Sequence, residues 1–166
     1  EAGVAALFAA VDAAGLPPLT ALVNNAGVLG PLGNDLDATS AEALSDVFNV
    51  NVLGPLLCCR EAAKRMAPGS AIVNMSSGSA SLGTPLLYSM SKGALNSMQG
   101  ALVKPLAAKG IRMNAVSPGL TDTDMITEMV QGVDLAATVP MGRVGLPHEI
   151  ADVVGFLLSP EAAYVH

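Results

Sequence analysis

Apolar positions follow two rhythms along this chain. Val4, Leu7, Phe8 and Val11 recur at helical spacing, which predicts an amphipathic helix over residues 3–14, stopped by Gly15 and the Pro17–Pro18 pair. "LTALVNNAG" (19–27) is instead a short apolar run without alternation, the pattern of a strand buried on both faces of a parallel sheet. The stretch "ATSAEALSDVFNVNVLGPLLCCREAAKRMA" (38–67) returns to helical spacing, with Thr39 or Ser40 as N-cap and Glu42 in the first turn. Gly54–Pro55 should kink or divide it. "SAIVNMSS" (70–77) and "GIRMNAVSPG" (110–119) read as two further buried strands. Between them "TPLLYSMSKGALNSMQGALVKPLAAKG" (84–110) reads as a helix capped by Thr84, with Pro85 in its first turn, a kink expected at Pro105 and a stop at Gly110. A loop from Thr121 to Val144 precedes a last helix, "PHEIADVVGFLLS" (147–159).

This β-α-β-α-β alternation implies an α/β fold, a parallel sheet with helices on both faces. Ligands sit at the carboxyl ends of the strands in such sheets. Each predicted strand here runs into a small polar cluster at that end: "NNAG", "NMSS" and "SPG".

Composition narrows the classes. With 166 residues, 51% of them hydrophobic, the chain can bury one core, and with only 3% aromatic residues its elements must pack closely through small side chains. A net charge of −6 excludes the basic face that nucleic-acid binders need. No Lys/Arg-rich run offers attraction to an anionic membrane. The longest apolar run, Val50–Cys59, is interrupted by Asn51, Gly54 and Pro55 and is too short to span a bilayer. The Ala-rich opening has no basic residue ahead of it and carries Glu1 and Asp12, so it is a helix rather than a signal peptide. Adjacent Cys58 and Cys59 give neither a disulfide framework nor metal spacing; they read as small buried residues in a reducing compartment, the cytoplasm. The chain begins without Met inside a helical pattern and stops at "AAYVH" without a closing element, so a fragment is expected.

Chemistry enters at Tyr88 and Lys92, four residues apart and therefore on one helical face. An ammonium beside a phenol favours phenolate, so this spacing predicts a Tyr88 pKa below its usual value near 10 and proton exchange with an alcohol or carbonyl. Ser76 and Ser77, closing the preceding strand, can donate to a substrate oxygen. Such a set suits interconversion of alcohol and ketone, and since no side chain supplies hydride a nicotinamide is required.

Six stretches in order, "NNAG" (24–27), "NVNVLG" (49–54), "NMSS" (74–77), "YSMSK" (88–92), "IRMNAVSPG" (111–119) and "GRVGLPHEIADVVGFLLS" (142–159), resemble the short-chain dehydrogenase/reductase family over essentially the whole chain. The resemblance implies a Rossmann-type doubly wound parallel sheet in three α/β/α layers, incomplete here, with residues 1–166 as part of an NAD(P)-binding domain. It implies Tyr88 as acid/base, Lys92 as the residue that lowers its pKa and holds the nicotinamide ribose, and Ser77 as the group that polarises the carbonyl. Asn51 would hold a helix bulge and a water linking Lys92 to solvent. Asn25, Ala26 and Gly27 would line the cofactor cleft, and Pro118, Gly119, Thr121 and Thr123 would embrace the carboxamide of NAD or NADP. Met125, Met129 and Met141 fall in a segment that closes over substrate in the family, where they either contact an apolar small molecule or pack the segment to the core. Asn24, Asn114 and His148 read as structural or surface residues.

The chain departs from the family at three places. No glycine-rich TGxxxGxG turn is present, and the strands that carry it and the cofactor-selecting residues are expected upstream. Ser77 and Tyr88 are eleven residues apart, about two fewer than is usual in the family, so Ser76 or Ser79 stand as alternatives to Ser77. Pro105 interrupts the Tyr88 helix. Gly93, Ser97, Gly100 and Lys104 form a mostly small-residue stripe, which with the family's habit predicts a homo-oligomer, dimer or tetramer. A non-catalytic cofactor-binding or scaffold relative is the alternative function, and the 166-residue piece alone is expected to lack activity for want of its nucleotide half.

Overall fold

The computed structural model describes residues 1–129 and 134–166. In chain order the helices are α1 (Ala2–Ala13), α2 (Ala41–Phe48), α3 (Gly54–Ala62), α4 (Ser79–Leu82), α5 (Leu86–Ala107), α6 (Asp124–Met129) and α7 (Pro147–Leu158). The strands are β1 (Ala21–Asn24), β2 (Ala71–Met75) and β3 (Arg112–Val116), all parallel, in the order β1-β2-β3. Residues on β2 alternate between two covered faces. Ile72 belongs to one apolar cluster with Phe8 of α1, Cys59 and Ala62 of α3, Leu106 of α5 and Met113 of β3. Val73, equally buried, points the other way, and α7 packs against β2 and β3. The expected three-layer α/β/α arrangement is therefore present.

Ser40 caps α2, its Oγ accepting from Ala43 N at 3.0 Å. Between α2 and α3 lies one π-helical turn, Asn49–Leu53, in which Gly54 N reaches back five residues to Asn49 O. Pro55 has no N–H to return to Asn51 O, so the regular four-residue ladder cannot continue there and the turn widens. The division expected at Gly54–Pro55 thus takes the form of a bulge that carries Asn51 inward, fully buried.

Several expectations need correction. Thr84 does not cap α5; Pro85 occupies the N-cap position in an extended conformation, with Ser89 N bonded to its carbonyl at 2.8 Å. Pro105 does not break α5, because only two residues of helix follow it and the lost bond falls in the closing turn. On α1 the expected face is buried through Phe8, 4% exposed, with Val4 packed against the same cluster and Val11 half-buried, but Leu7 is 56% exposed and lies outside it. Arg65, in the turn after α3, places its guanidinium 5.0 Å over the Phe8 ring and bonds Asp12 at 2.8 Å, fixing α1 about its axis. α4 was not foreseen, and the segment expected as loop from Thr121 holds α6 and a 3-10 turn at Ala136–Thr138.

Gly30 lets the chain leave β1 tightly over α2. Its φ is +67°, and a β-carbon there would lie 2.4 Å from Val47 Cγ2, so only glycine fits without a shift.

Candidate active site

Parallel register places Asn24 beside Asn74, and Asn74 beside Ala115, so the polar ends of the three strands sit together. Asn24 Nδ2 donates to Asn74 Oδ1 at 2.8 Å, tying β1 to β2, and Asn114 Nδ2 donates to Val165 O at 2.9 Å. Both asparagines serve the fold.

Four residues converge beyond the end of β2. Lys92, on the second turn of α5, is only 3% exposed, and its Nζ donates to Met75 O at 2.7 Å. Its ammonium lies 5.4 Å from the Tyr88 ring centroid, as the shared helical face requires. Asn51 reaches the same region from the π turn. Its Nδ2 donates to Val28 O and to Ser91 Oγ, both at 2.9 Å, and its Oδ1 accepts from Val28 N at 2.9 Å. Ser91 Oγ in turn donates to Tyr88 O at 2.7 Å. Asn51 thus ties the loop after β1 to the first turn of α5.

Ser91 was missed by sequence reasoning. Its signal was there: a serine inside a helix, where it is disfavoured unless its hydroxyl has a task. The two strand-end serines separate cleanly. Ser76 Oγ is buried against α5, donating to Asn96 Oδ1 at 2.7 Å, so it is spent on packing. Ser77 accepts from Ser79 N at 3.1 Å and lies near enough to Tyr88 to favour its phenolate.

The electrostatics differ from the expectation. Burial pushes the Tyr88 phenol up, and the Ser77 hydroxyl offsets only part of that rise. Burial also pulls Lys92 down from 10.5 to about 8. The low-dielectric pocket penalises both charged forms, so desolvation outweighs the attraction that the spacing alone suggested. Tyr88 rests as a neutral phenol, a proton donor.

Gly27 leaves a gap at the centre. A β-carbon there would sit 3.4 Å from Lys92 Nζ and 3.5 Å from Asn51 Oδ1. Met75 O takes one of the three ammonium donors. The gap therefore offers cationic N–H donors and an amide oxygen to a small polar group such as a hydroxyl. Asn25 and Ala26 are exposed on the approach to it.

On the other side of Gly27 opens a cavity of about 520 Å³, lined by Gly27, Val28, Leu29, Gly30, Leu32 and Met125. Met125 lines it as foreseen, Met141 is 76% exposed and does not, and the Met129 side chain lies outside the described residues. Pro118 and Gly119 follow β3, with Pro118 O accepting from Gly78 N at 3.1 Å. Thr121 pairs with Gly145, and its Oγ1 donates to Gly119 O at 3.1 Å; Thr123 Oγ1 donates to Thr121 O at 3.3 Å. These four shape the wall opposite β1 and do not touch the Tyr88–Lys92 pair through any hydrogen bond among the described residues. His148 opens α7 on the surface, as read.

The chain is similar to known proteins. The family model described as enoyl-(acyl carrier protein) reductase matches residues 1–166. The uncharacterized oxidoreductase YgfF of Escherichia coli is 42% identical over 176 residues, spanning 99% of this chain and 70% of that protein. A short-chain dehydrogenase of Burkholderia cenocepacia, solved in complex with NADP, superposes with a TM-score of 0.88 at 30% identity over 98% of this chain and 66% of its own. A short-chain dehydrogenase/reductase of Brucella melitensis, titled glucose/ribitol dehydrogenase, gives 0.89 at 32% identity over 99% and 68%. The chain thus spans roughly two thirds of the length of these relatives.

Proposed function

Since the chain belongs to the short-chain dehydrogenase/reductase family, we propose that it serves an NAD(P)-dependent oxidoreductase that interconverts a secondary alcohol and a ketone, with Tyr88 as the acid/base. The observation that carries this reading is the convergence of Tyr88, Lys92, Ser77 and Asn51 on one buried point at the end of β2. The fit to a nicotinamide nucleotide rests on the gap beside Gly27, where Lys92 Nζ and Asn51 Oδ1 face a space no side chain fills. A ribose hydroxyl suits those partners, one accepting and donating group against donors and an acceptor. The Burkholderia relative's NADP supports the same cofactor class here. Asn25, Ala26 and Gly27 take the β1 side of that cleft, and Pro118, Gly119, Thr121 and Thr123 the β3 side.

When bound, the nicotinamide supplies or takes up the hydride, which no side chain can do. The chain's own residues handle the proton. Ser77 donates a hydrogen bond to the carbonyl oxygen and polarises it. Tyr88, held neutral by burial, gives its phenolic proton to that oxygen as negative charge develops there. Lys92 holds the ribose and stands ready to stabilise the phenolate that remains. Asn51 keeps the loop after β1 and the Tyr88 turn in fixed relation, and a water held near it links Lys92 to solvent. A protonated phenol is the form of Tyr88 that the reducing direction uses.

Around this centre, residues 1–166 act as one dinucleotide-fold domain, the partner is a small carbonyl or alcohol, and nucleic acid and membrane play no part at net charge −6. No helix among the described residues is long and apolar enough to cross a membrane. The reading places the protein in the cytoplasm as a homo-oligomer. Leu56 and Met90 are exposed on α3 and α5, and Ser97 and Gly100 are exposed on α5, while Gly93 faces Ala80 of α4 within the subunit. The test is a fluorescence titration of the intact protein with NADH and NADPH, followed by a ketone panel. Saturable binding of one nucleotide and its oxidation by a ketone is expected; a folded protein that binds neither sinks the reading.

A further inference from the structure

The placement of positive charge says what kind of carbonyl compound this site accepts. All eight Lys and Arg residues can be assigned to one end of the sheet or the other. Helices here run antiparallel to the strands, so the last turns of α3 and α5 lie at the amino ends of the strands. Arg60, Lys64 and Arg65 are there, engaged with Glu1, Glu61 and Asp12. Lys104 and Lys109 close α5 at the same end, and Arg112 opens β3 there, bonded to the carbonyls of Leu157 and Ser159 at 2.7 and 3.0 Å.

Two cations remain at the carboxyl end, where the cavity opens. Arg143 is held by Glu149 through two bonds, 2.7 and 2.6 Å, and Glu149 also fixes Leu146 N at 2.7 Å. Lys92 is buried behind Gly27 and bonded to Met75 O. The cavity itself presents Val28, Leu29, Leu32 and Met125, with no ionisable side chain among its lining residues. The flanking loops carry exposed Asp35, Asp37, Asp122 and Asp124. A carboxylate or phosphate on the substrate would lose part of its water beside these apolar side chains, meet no free cation among the described residues, and face acidic segments.

The geometry points to an uncharged substrate, a ketone or secondary alcohol whose body is apolar and is taken up by the Val28–Leu29–Leu32–Met125 cavity, with substrates carrying carboxylate or phosphate near the carbonyl excluded. This inference rests on the oxidoreductase reading above. The energetic source is desolvation and repulsion rather than shape, so compounds matched in shape and differing in charge isolate it.

The experiment uses the intact protein, saturated with whichever nicotinamide nucleotide it binds, at neutral pH. 4-Isopropylacetophenone is compared with 4-acetylbenzoate, and 5-methylhexan-2-one with 4-oxopentanoate, by nucleotide oxidation. The neutral member of each pair should give the higher kcat/KM by roughly tenfold or more, since a factor of ten needs only a small electrostatic difference. Leu32→Lys, which adds a cation to the cavity wall, should raise kcat/KM for the anion relative to its neutral partner by at least about threefold. Equal or better turnover of the anions by the wild type, or no change in the ratio in L32K, overturns the inference while leaving the oxidoreductase reading intact. Nucleotide binding with no turnover of any of the four compounds or of a wider set of neutral ketones overturns that reading, and this inference with it.

Discussion

Lys92 carries an ammonium into a site where it is 3% exposed, and burial lowers its pKa from 10.5 to about 8. At about 1.4 kcal/mol per pH unit, that gap means the protonated side chain costs the folded state about 3 kcal/mol relative to the neutral amine. Methionine, similar in length and apolar, removes the cost and loses one hydrogen bond, Nζ to Met75 O at 2.7 Å. With that bond worth about 1 kcal/mol, Lys92→Met should be more stable than the wild type by about 2 kcal/mol at neutral pH, while losing activity. The pH dependence follows the same logic. An unfolded lysine keeps its proton to about pH 10.5, whereas the folded one releases it near pH 8, so between these values the unfolded chain binds more protons and stability rises with pH. Cys58 and Cys59, whose thiols burial pushes up, oppose this rise as the pH climbs, but they are common to both proteins, so the wild type should gain about 2 kcal/mol relative to Lys92→Met from about pH 7 to about pH 9.5. Tyr88, raised by burial, acts oppositely: its unfolded phenol ionises first above pH 10, so stability is lost there and the comparison stops short of it. Urea melts of both proteins without nucleotide, at the two ends of that window, read the result. A wild type whose stability does not rise relative to Lys92→Met across the window, or a Lys92→Met variant less stable than the wild type at neutral pH, refutes the reasoning.

Gly27→Ala places a methyl at ordinary contact distance, 3.4 Å from Lys92 Nζ and 3.5 Å from Asn51 Oδ1, so the variant should fold with stability within about 1 kcal/mol of the wild type. It fills the gap assigned to the ribose, so the Kd for NAD(P)H should rise at least about tenfold by fluorescence titration, and an unchanged Kd counts against that placement. Asn51→Ala strands the Val28 N–H and C=O and the Ser91 hydroxyl, three bonds at 2.9 Å. At about 1 kcal/mol each the loss should be about 3 kcal/mol, read as a calorimetric Tm lower by roughly 6–12 °C. Ser91→Ala should cost about 1 kcal/mol, and less in the Asn51→Ala background, because the two share one bond; full additivity in a double-mutant cycle would deny the coupling.

Much of the site was legible because its residues are fixed by short-range spacing. Tyr88 and Lys92 share a face by helical geometry alone, and the three strand ends meet because short apolar runs alternating with helices leave few topologies. Ser40 announced itself as a cap, and Pro55 announced a break, although a missing N–H predicts an interruption and not the widened turn that buries Asn51. What sequence could not carry was environment. The sign of the Tyr88 perturbation depends on how deeply α5 sinks beside β2, and burial reversed the effect expected from Lys92. The separation of Ser76 from Ser77 needed Asn96, twenty residues along the chain from Ser76, to show which hydroxyl is spent on packing. That Arg65 pins α1 through Asp12, fifty-three residues away, likewise lay beyond local spacing. These misses of environment concern long-range contacts, whereas those at Thr84 and Pro105 turn on where α5 begins and ends.

The central claim is that Tyr88 moves the proton while other residues hold the nucleotide. Tyr88→Phe keeps the ring and the helix and removes only the hydroxyl. Measured beside the wild type on a ketone both can bind, with the NAD(P)H Kd taken from fluorescence, it should lose at least about a hundredfold in kcat while its Kd stays within about threefold. A Tyr88→Phe protein that turns over at near wild-type rate would contradict the account.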